Sequence, residues 1–93
     1  MHVHTVYVTL QDPADVERIA ARMQSMNGLF DGMRGLSVVR NEHVGAHSCH
    51  LALTTQWTDL AAYEAYHVHP AHKAVADDVT AAMAAAVTLD HTA

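Results

Sequence analysis

The stretch Tyr66-His67-Val68-His69-Pro70-Ala71-His72 sets three imidazoles and a phenol close together, a combination able to move protons at neutral pH. Proline has no backbone N–H to lose and its φ is already helical, so Pro70 marks the start of a helix running on through Lys73-Ala74-Val75. His72 then falls in the first helical turn. There the positive end of the helix dipole disfavours a second positive charge, which favours the neutral imidazole that a general base requires.

The elements that must position these groups follow from periodicity. Val3 to Leu10 alternates, with His4, Val6, Val8 and Leu10 on one face and Thr5, Tyr7 and Thr9 on the other, the period of a strand. Asp12 caps the next helix with Pro13 at its first position, and Val16, Ile19, Ala20, Met23 and Met26 recur as one apolar helical stripe. Asn27 to Gly35 is a glycine-punctuated connection in which Gly28, Gly32 and Gly35 read as turn geometry. Leu36 to Asn41 reads as a second strand and Glu42 to Ala46 as a hairpin turn.

A third strand is expected from His47 to Trp57, with Cys49, Leu51, Leu53, Thr55 and Trp57 on its more apolar face. Thr58 is expected to cap a short helix carrying Leu60, Tyr63 and His67 along one side. The helix begun at Pro70 carries Val75, Val79, Met83 and Ala86 as its inward stripe, and continuing that stripe backwards reaches His72, which therefore points inward. Alanine is the best helix former, so Ala84 to Ala86 is read as helix, with Val87 to His91 as a short final strand.

Composition narrows the function classes. The chain of 93 residues is read as one domain, 1–93. Its single cysteine, Cys49, cannot form an intrachain bridge, and the N-terminus lacks a basic region followed by a long apolar run. The chain is thus expected to be cytoplasmic, with no membrane span. A formal charge of −5 offers no basic stripe for a phosphate backbone, so no nucleic-acid partner is expected. Protonating all nine histidines would bring that charge to +4, so mild acidification can reverse its sign. His2, His43, His47 and His91 are read as surface decoration.

Strand, helix, strand, strand, helices, strand is the order of an α+β, ferredoxin-like split βαβ unit, a four-stranded antiparallel sheet with helices on one face. The open face, with Val3, Thr5, Tyr7, Thr9, Ala52 and Thr54, is too mixed for a monomer's polar side. It is expected to pack on the same face of a second copy, giving a homodimeric α/β barrel.

Three groups of residues then resemble one known family: His4 opening a strand, Trp57-Thr58-Asp59-Leu60-Ala61-Ala62-Tyr63-Glu64-Ala65-Tyr66, and His69-Pro70-Ala71-His72. The pattern is similar to the stress-responsive α/β-barrel (Dabb) family, with its olivetolic acid cyclase-like branch. The resemblance follows element order over nearly the whole chain and is specific from Leu51 to Lys73. In the cyclase branch the second histidine of this motif is the base and the tyrosine six residues earlier holds substrate. Those positions are His72 and Tyr66, and the family's strand-one histidine falls on His4. The resemblance implies an aldol-type ring closure, or related lyase chemistry, without a cofactor. His50 stands where many relatives carry an acidic residue, and His67 and Val68 lie outside the family pattern.

The catalytic candidates are therefore His72 as base, Tyr66 as hydrogen-bonding partner and His4 to orient or polarise the substrate. A pocket for a small apolar, oxygenated ligand is expected to include Val6, Val8, Met23, Met26, Phe30, Trp57 and His69. His69 is also expected to cap the helix or brace the Pro70 turn. No metal is assigned: His67, His69 and His72 offer three nitrogens, but their spacing is permissive only, since His67 ends one helix while His72 begins another at an angle. Two other readings fit the same residues. One is a non-enzymatic stress-response or ligand-binding protein, and the other a cofactor-independent monooxygenase of the related dimeric barrels.

Overall fold

In the computed structural model, which describes all 93 residues, alternation drives β1 (His2–Leu10) into the centre of a sheet. The remaining elements are a turn of 3-10 helix (Pro13–Asp15), α1 (Val16–Gln24), β2 (Met33–Arg40), β3 (Leu51–Trp57), α2 (Leu60–His67), α3 (Pro70–Ala82) and β4 (Met83–Thr92). The sheet has the order β2-β3-β1-β4 and every pair is antiparallel. This is the expected ferredoxin-like α+β arrangement, with the helices on one face.

The core forms where the apolar faces meet. Ile19, Ala20, Met23 and Met26 from the first helical segment bury against Val8 and Leu10 of β1 and Leu51, Leu53 and Trp57 of β3. Strand β3 alternates strictly, its odd-numbered residues from Leu51 to Trp57 all buried. Asp12 accepts the Ala14 N–H, so the proline-led turn begins as the sequence predicts, although α-helix proper starts only at Val16.

Three expected boundaries are corrected. The helix from Pro70 stops at Ala82, and Met83 to Ala86 are strand rather than helix. β1 is long and needs a partner along its whole length: Val8 pairs with Ala86, Thr9 with Ala85 and Leu10 with Met83. Those ladder bonds outweigh alanine's weak helical preference, a local bias that tertiary pairing routinely overrides. Gln11 fixes the junction, its N–H donating to the Ala82 carbonyl at 3.0 Å and its side-chain amide to the Met83 carbonyl at 3.1 Å.

The third strand begins at Leu51, not His47, because residues 41–50 form a loop with a turn at Gly45–Ser48 instead of a tight hairpin. His50 closes that loop: its N–H donates to the Val8 carbonyl at 2.8 Å and its Nδ1 accepts the Leu10 N–H at 2.9 Å. This imidazole terminates the β1–β3 ladder, which gives a structural role to a residue the family pattern left unmatched. The α2 cap, finally, is Asp59 rather than Thr58, with its carboxylate accepting the Ala62 N–H at 2.9 Å. A one-residue shift at a helix start is common because both types cap well.

Gly32 has φ +77° at the turn into β2, and a Cβ there would lie 2.6 Å from the Cβ of Ala62, so only glycine lets the turn pass beneath α2. Gly35, expected in the same turn, is instead within β2.

The sheet face away from the helices is uncovered. Tyr7 pairs with Val87 and Ala52 with Val39, while Leu89 lies opposite Thr5, so these side chains share that face. Tyr7, Val39, Val87 and Leu89 are 40%, 58%, 66% and 52% exposed, an apolar strip running across all four strands' width.

Candidate active site

The direct turn from α3 into β4 decides the geometry of the site. Because the strand runs back along the helix that precedes it, Asp90 near its end returns to the level of His72 in the first turn of the helix. Asp90 is also paired in register with His4. His4, His72 and Asp90 thereby line one end of a cleft of about 310 Å³ between the sheet and the helices. Tyr63, Tyr66 and His67 of α2 line that end too, while Val6, Val8, Met23 and Met26 belong to its apolar walls.

His69 supports this end from outside. Its Nδ1 accepts the Ala71 N–H at 3.0 Å as the N-cap of α3, which holds Pro70 and hence His72 in place. The His72 ring lies over Tyr66, with centroids 4.2 Å apart, and its Nδ1 is 3.0 Å from the His67 carbonyl oxygen. A carbonyl only accepts, so Nδ1 carries the proton and Nε2 is the basic nitrogen. Burial lowers the pKa of His72 from the ordinary 6.5; the hydrogen bond to the His67 carbonyl opposes this, and the neighbouring His67 and His4 reinforce it. The ring is neutral at neutral pH, in the direction the helix dipole argues, but burial is the main cause.

On the opposite wall, His4 Nδ1 donates to Asp90 Oδ1 at 2.7 Å, and His2 Nε2 donates to the same oxygen at 2.9 Å. Partial burial raises the Asp90 pKa, but the two histidine hydrogen bonds outweigh it and hold the carboxyl below its usual range. Asp90 thus fixes His4 with Nδ1 protonated and Nε2 as the open position. No buried side-chain nitrogen or oxygen in the protein lacks a partner, and neither the His4 nor the His72 Nε2 has one, so both are accessible; His4 lines the cleft, and His72 lines both the cleft and an outer groove with Lys73 and Asp77.

Tyr66 is buried, with its hydroxyl only 4.0 Å from the Met26 sulfur. Burial, with Tyr63 beside it, pushes the Tyr66 pKa up, so the phenol stays neutral and remains a donor with a weak partner to give up. Tyr63 is raised likewise, by burial and then by the Asp90 carboxylate, and its ring lies 4.6 Å from that of His4.

Three residues expected in the pocket lie elsewhere. Trp57 is fully buried beneath Tyr66, its ring 4.6 Å away and its indole N–H bonded to Thr55 Oγ1 at 2.9 Å. Phe30 and His69 pack edge to face at 5.2 Å and line a separate, smaller hollow on the far side of Tyr66. Tyr66 therefore divides the aromatic block from the cleft, a partition that spacing along the chain does not encode. With its ring turned to Phe30 and its Nδ1 capping α3, His69 does not converge with His67 and His72.

His2, read as surface decoration, is buried against Asp90 and Tyr63. Asp90 itself was missed in the sequence, as were Tyr63 and Thr88 as cleft residues. The readable signal was a carboxylate alternating with Val87 and Leu89 on a strand, hence on the opposite face from those two apolar side chains.

The comparisons with known proteins bear on the family and the fold. The sequence model of the Stress responsive A/B Barrel Domain (Dabb) matches residues 3–93. The chain belongs to this family. Among solved structures, a Dabb family protein from Mesorhizobium loti superposes with a TM-score of 0.83 at 22% identity, covering 99% of this chain and 95% of that one. A dimeric ferredoxin-like protein of unknown function from Thermobifida fusca gives 0.87 at 16% identity, over 99% and 90% of the two chains. The hydroxynitrile lyase of Passiflora edulis gives 0.82 at 13% identity, over 97% and 90%. At these identities the likeness establishes the Dabb fold. Among curated proteins, none is significantly similar in sequence. No helix of this Dabb chain is long and apolar enough to cross a membrane.

Proposed function

We propose that this Dabb protein is a cofactor-independent enzyme that removes a proton from carbon beside a carbonyl, in an aldol-type ring closure of the polyketide cyclase kind or a related lyase reaction. The observation that carries this reading is the His72 ring: neutral, anchored through Nδ1, with Nε2 free beside a half-open, mostly apolar cleft and a neutral phenol. His72 Nε2 takes the proton, and the electron pair moves onto the carbonyl oxygen, which accepts a hydrogen bond from Tyr66. The enolate carbon attacks a second carbonyl of the same molecule, and the alkoxide formed recovers the proton from His72. His4, held by Asp90, orients the substrate from the other wall. A hydroxynitrile lyase on the same fold supports the lyase side of this reading.

The test needs no knowledge of the natural substrate. Wild-type protein is expected to accelerate exchange of the methyl protons of 4-pentylacetophenone for deuterium, followed by proton NMR. Since His72 acts unprotonated and its pKa is lowered, the rate is expected to be flat through neutral pH and to fall only on acidification below about 6.5. Exchange no faster than with free imidazole at equal concentration refutes the proposal, and a rate still climbing through neutral pH moves the base elsewhere.

The protein is proposed to act as a homodimer joined through the strip of Tyr7, Val39, Val87 and Leu89, supported by the dimeric Thermobifida fusca structure on the same fold. Sedimentation at micromolar concentration is expected to give the mass of two chains, and Leu89→Lys, which sets a charge in the apolar strip along the β4 edge of that face, is expected to give one. A wild-type monomer removes the interface.

A further inference from the structure

His72 stands between two spaces. One is the cleft, and the other is the outer groove of about 410 Å³ that Val68, Lys73 and Asp77 also line. Only His67, His72 and Ala76 line both, so these three residues form the partition between them. Helical spacing accounts for two of the three: His72 and Ala76 are one turn apart on α3, and Lys73 and Asp77 form the neighbouring row turned to the groove. The third, His67, ends α2 and is brought alongside by the short Val68–His69 connection. Its carbonyl holds the His72 Nδ1–H at 3.0 Å, and its ring lies 5.7 Å from the His72 ring, tilted by 34°. One residue therefore anchors the base through its backbone and sets a second imidazole beside it.

This arrangement bears on where the proton goes once His72 has taken it. Turning the His72 ring to give the proton away would break the Nδ1 bond to the His67 carbonyl. A ligand seated in the cleft shields that side from water, whereas the groove side stays open. An imidazole is the side-chain type that takes up and releases a proton near neutral pH. The other titratable groups around the two rings are poorly placed for the task. Tyr63 and Tyr66 hold their protons through neutral pH because burial raises both. His4 and Asp90 are bonded to each other on the opposite wall, and Lys73 and Asp77 line the groove without reaching the cleft.

Resting on the catalytic reading of His72, we infer that His67 is a proton relay between that base and the solvent in the outer groove. The carbon–hydrogen bond breaks, its electron pair stays on the substrate as the enolate, and the proton goes to His72 Nε2. His72 passes the proton to the His67 ring, and His67 releases it to water in the groove. The reverse transfer brings a solvent proton back to His72, which returns it to the substrate oxygen or carbon, so no net charge is left behind. At a ring separation of 5.7 Å one water joins nitrogens of the two imidazoles. His67 thus acts through His72, on the proton after the carbon–hydrogen bond has broken.

The fate of the proton tests this. Loss of label from methyl-deuterated 4-pentylacetophenone and from its trace-tritiated form, both in ordinary water at neutral pH and in dilute buffer, gives a rate and an isotope effect. His67→Gln changes an exposed side chain and keeps the carbonyl that anchors His72, so fold and base are retained. The variant is expected to lose label about tenfold more slowly than wild type. Most of the wild-type isotope effect is expected to vanish with it, because return of the same hydron to carbon now outpaces its escape. Raising the phosphate concentration is expected to rescue the variant and to leave the wild-type rate unchanged. His67→Asn, with the same backbone, is expected to behave alike. A variant rate equal to wild type overturns the relay. A slowed rate with the isotope effect intact and no response to phosphate overturns it too, since that marks a residue that only positions the His72 ring. Both of those results leave His72 as the base, whereas wild-type exchange no faster than with free imidazole removes base and relay together.

Discussion

Replacing His72 with alanine is expected to slow deuterium exchange into 4-pentylacetophenone by ~10²–10⁴-fold, the span covered by a positioned general base. The fold should survive, because the imidazole is only half-buried and its single protein partner, the His67 carbonyl, stays within reach of water when the ring is gone. The thermal midpoint and the sedimenting mass are therefore expected to stay close to wild type. Two further readouts separate a base from a packing residue. Added imidazole should restore part of the lost rate by entering the vacated space over Tyr66, and the acid limb of the pH profile should disappear with the side chain. An unchanged rate removes His72 from the mechanism; loss of the folded state would instead make its role structural and favour a binding protein.

The second large effect falls on stability. Trp57→Ala is expected to cost about 3–5 kcal/mol, the range for truncating a fully buried aromatic residue. Trp57 has no exposed surface and joins β3 to the aromatic block through Tyr66 at 4.6 Å and Phe30 at 6.3 Å. Against a total of about 5–15 kcal/mol for a typical domain, such a loss brings the protein near its unfolding threshold. Urea titration at low temperature measures it, with Trp57→Phe, which keeps a ring, expected to lose markedly less. A change below about 1 kcal/mol for the alanine variant would place the weight of the core elsewhere. Trp57 is thus separated from the pocket role that its position at the end of β3 invites: it acts beneath Tyr66, not on the ligand.

The two histidine walls also set the titratable groups at one end of the cleft. His72 reports to a backbone carbonyl and His4 to a carboxylate, so each ring has one tautomer fixed by an oxygen that can only accept. Their environments differ even though their residue type does not. The shared Asp90 additionally ties the edge strand β4 to β1 through side chains, next to the ladder bond of the His4–Asp90 pair.

Sequence alone determined whatever depends on neighbours a few residues apart. The alternation of β1, the apolar stripe from Val16 to Met26 and the proline-led start of α3 are local, and local periodicity and capping chemistry suffice to place them. The motif from Leu51 to Lys73 gave the family, and with it His72, Tyr66 and His4. Tertiary structure decided the rest, because strand pairing and burial join residues distant in the chain. β1's need for a full-length partner turned Met83 to Ala86 from helix into strand, and the register that followed set Asp90 beside His4. It also left Phe30, Trp57 and His69 behind Tyr66 rather than in the cleft. Backbone hydrogen bonds along a sheet are satisfied collectively, so no window of sequence reveals which carboxylate will arrive at the site.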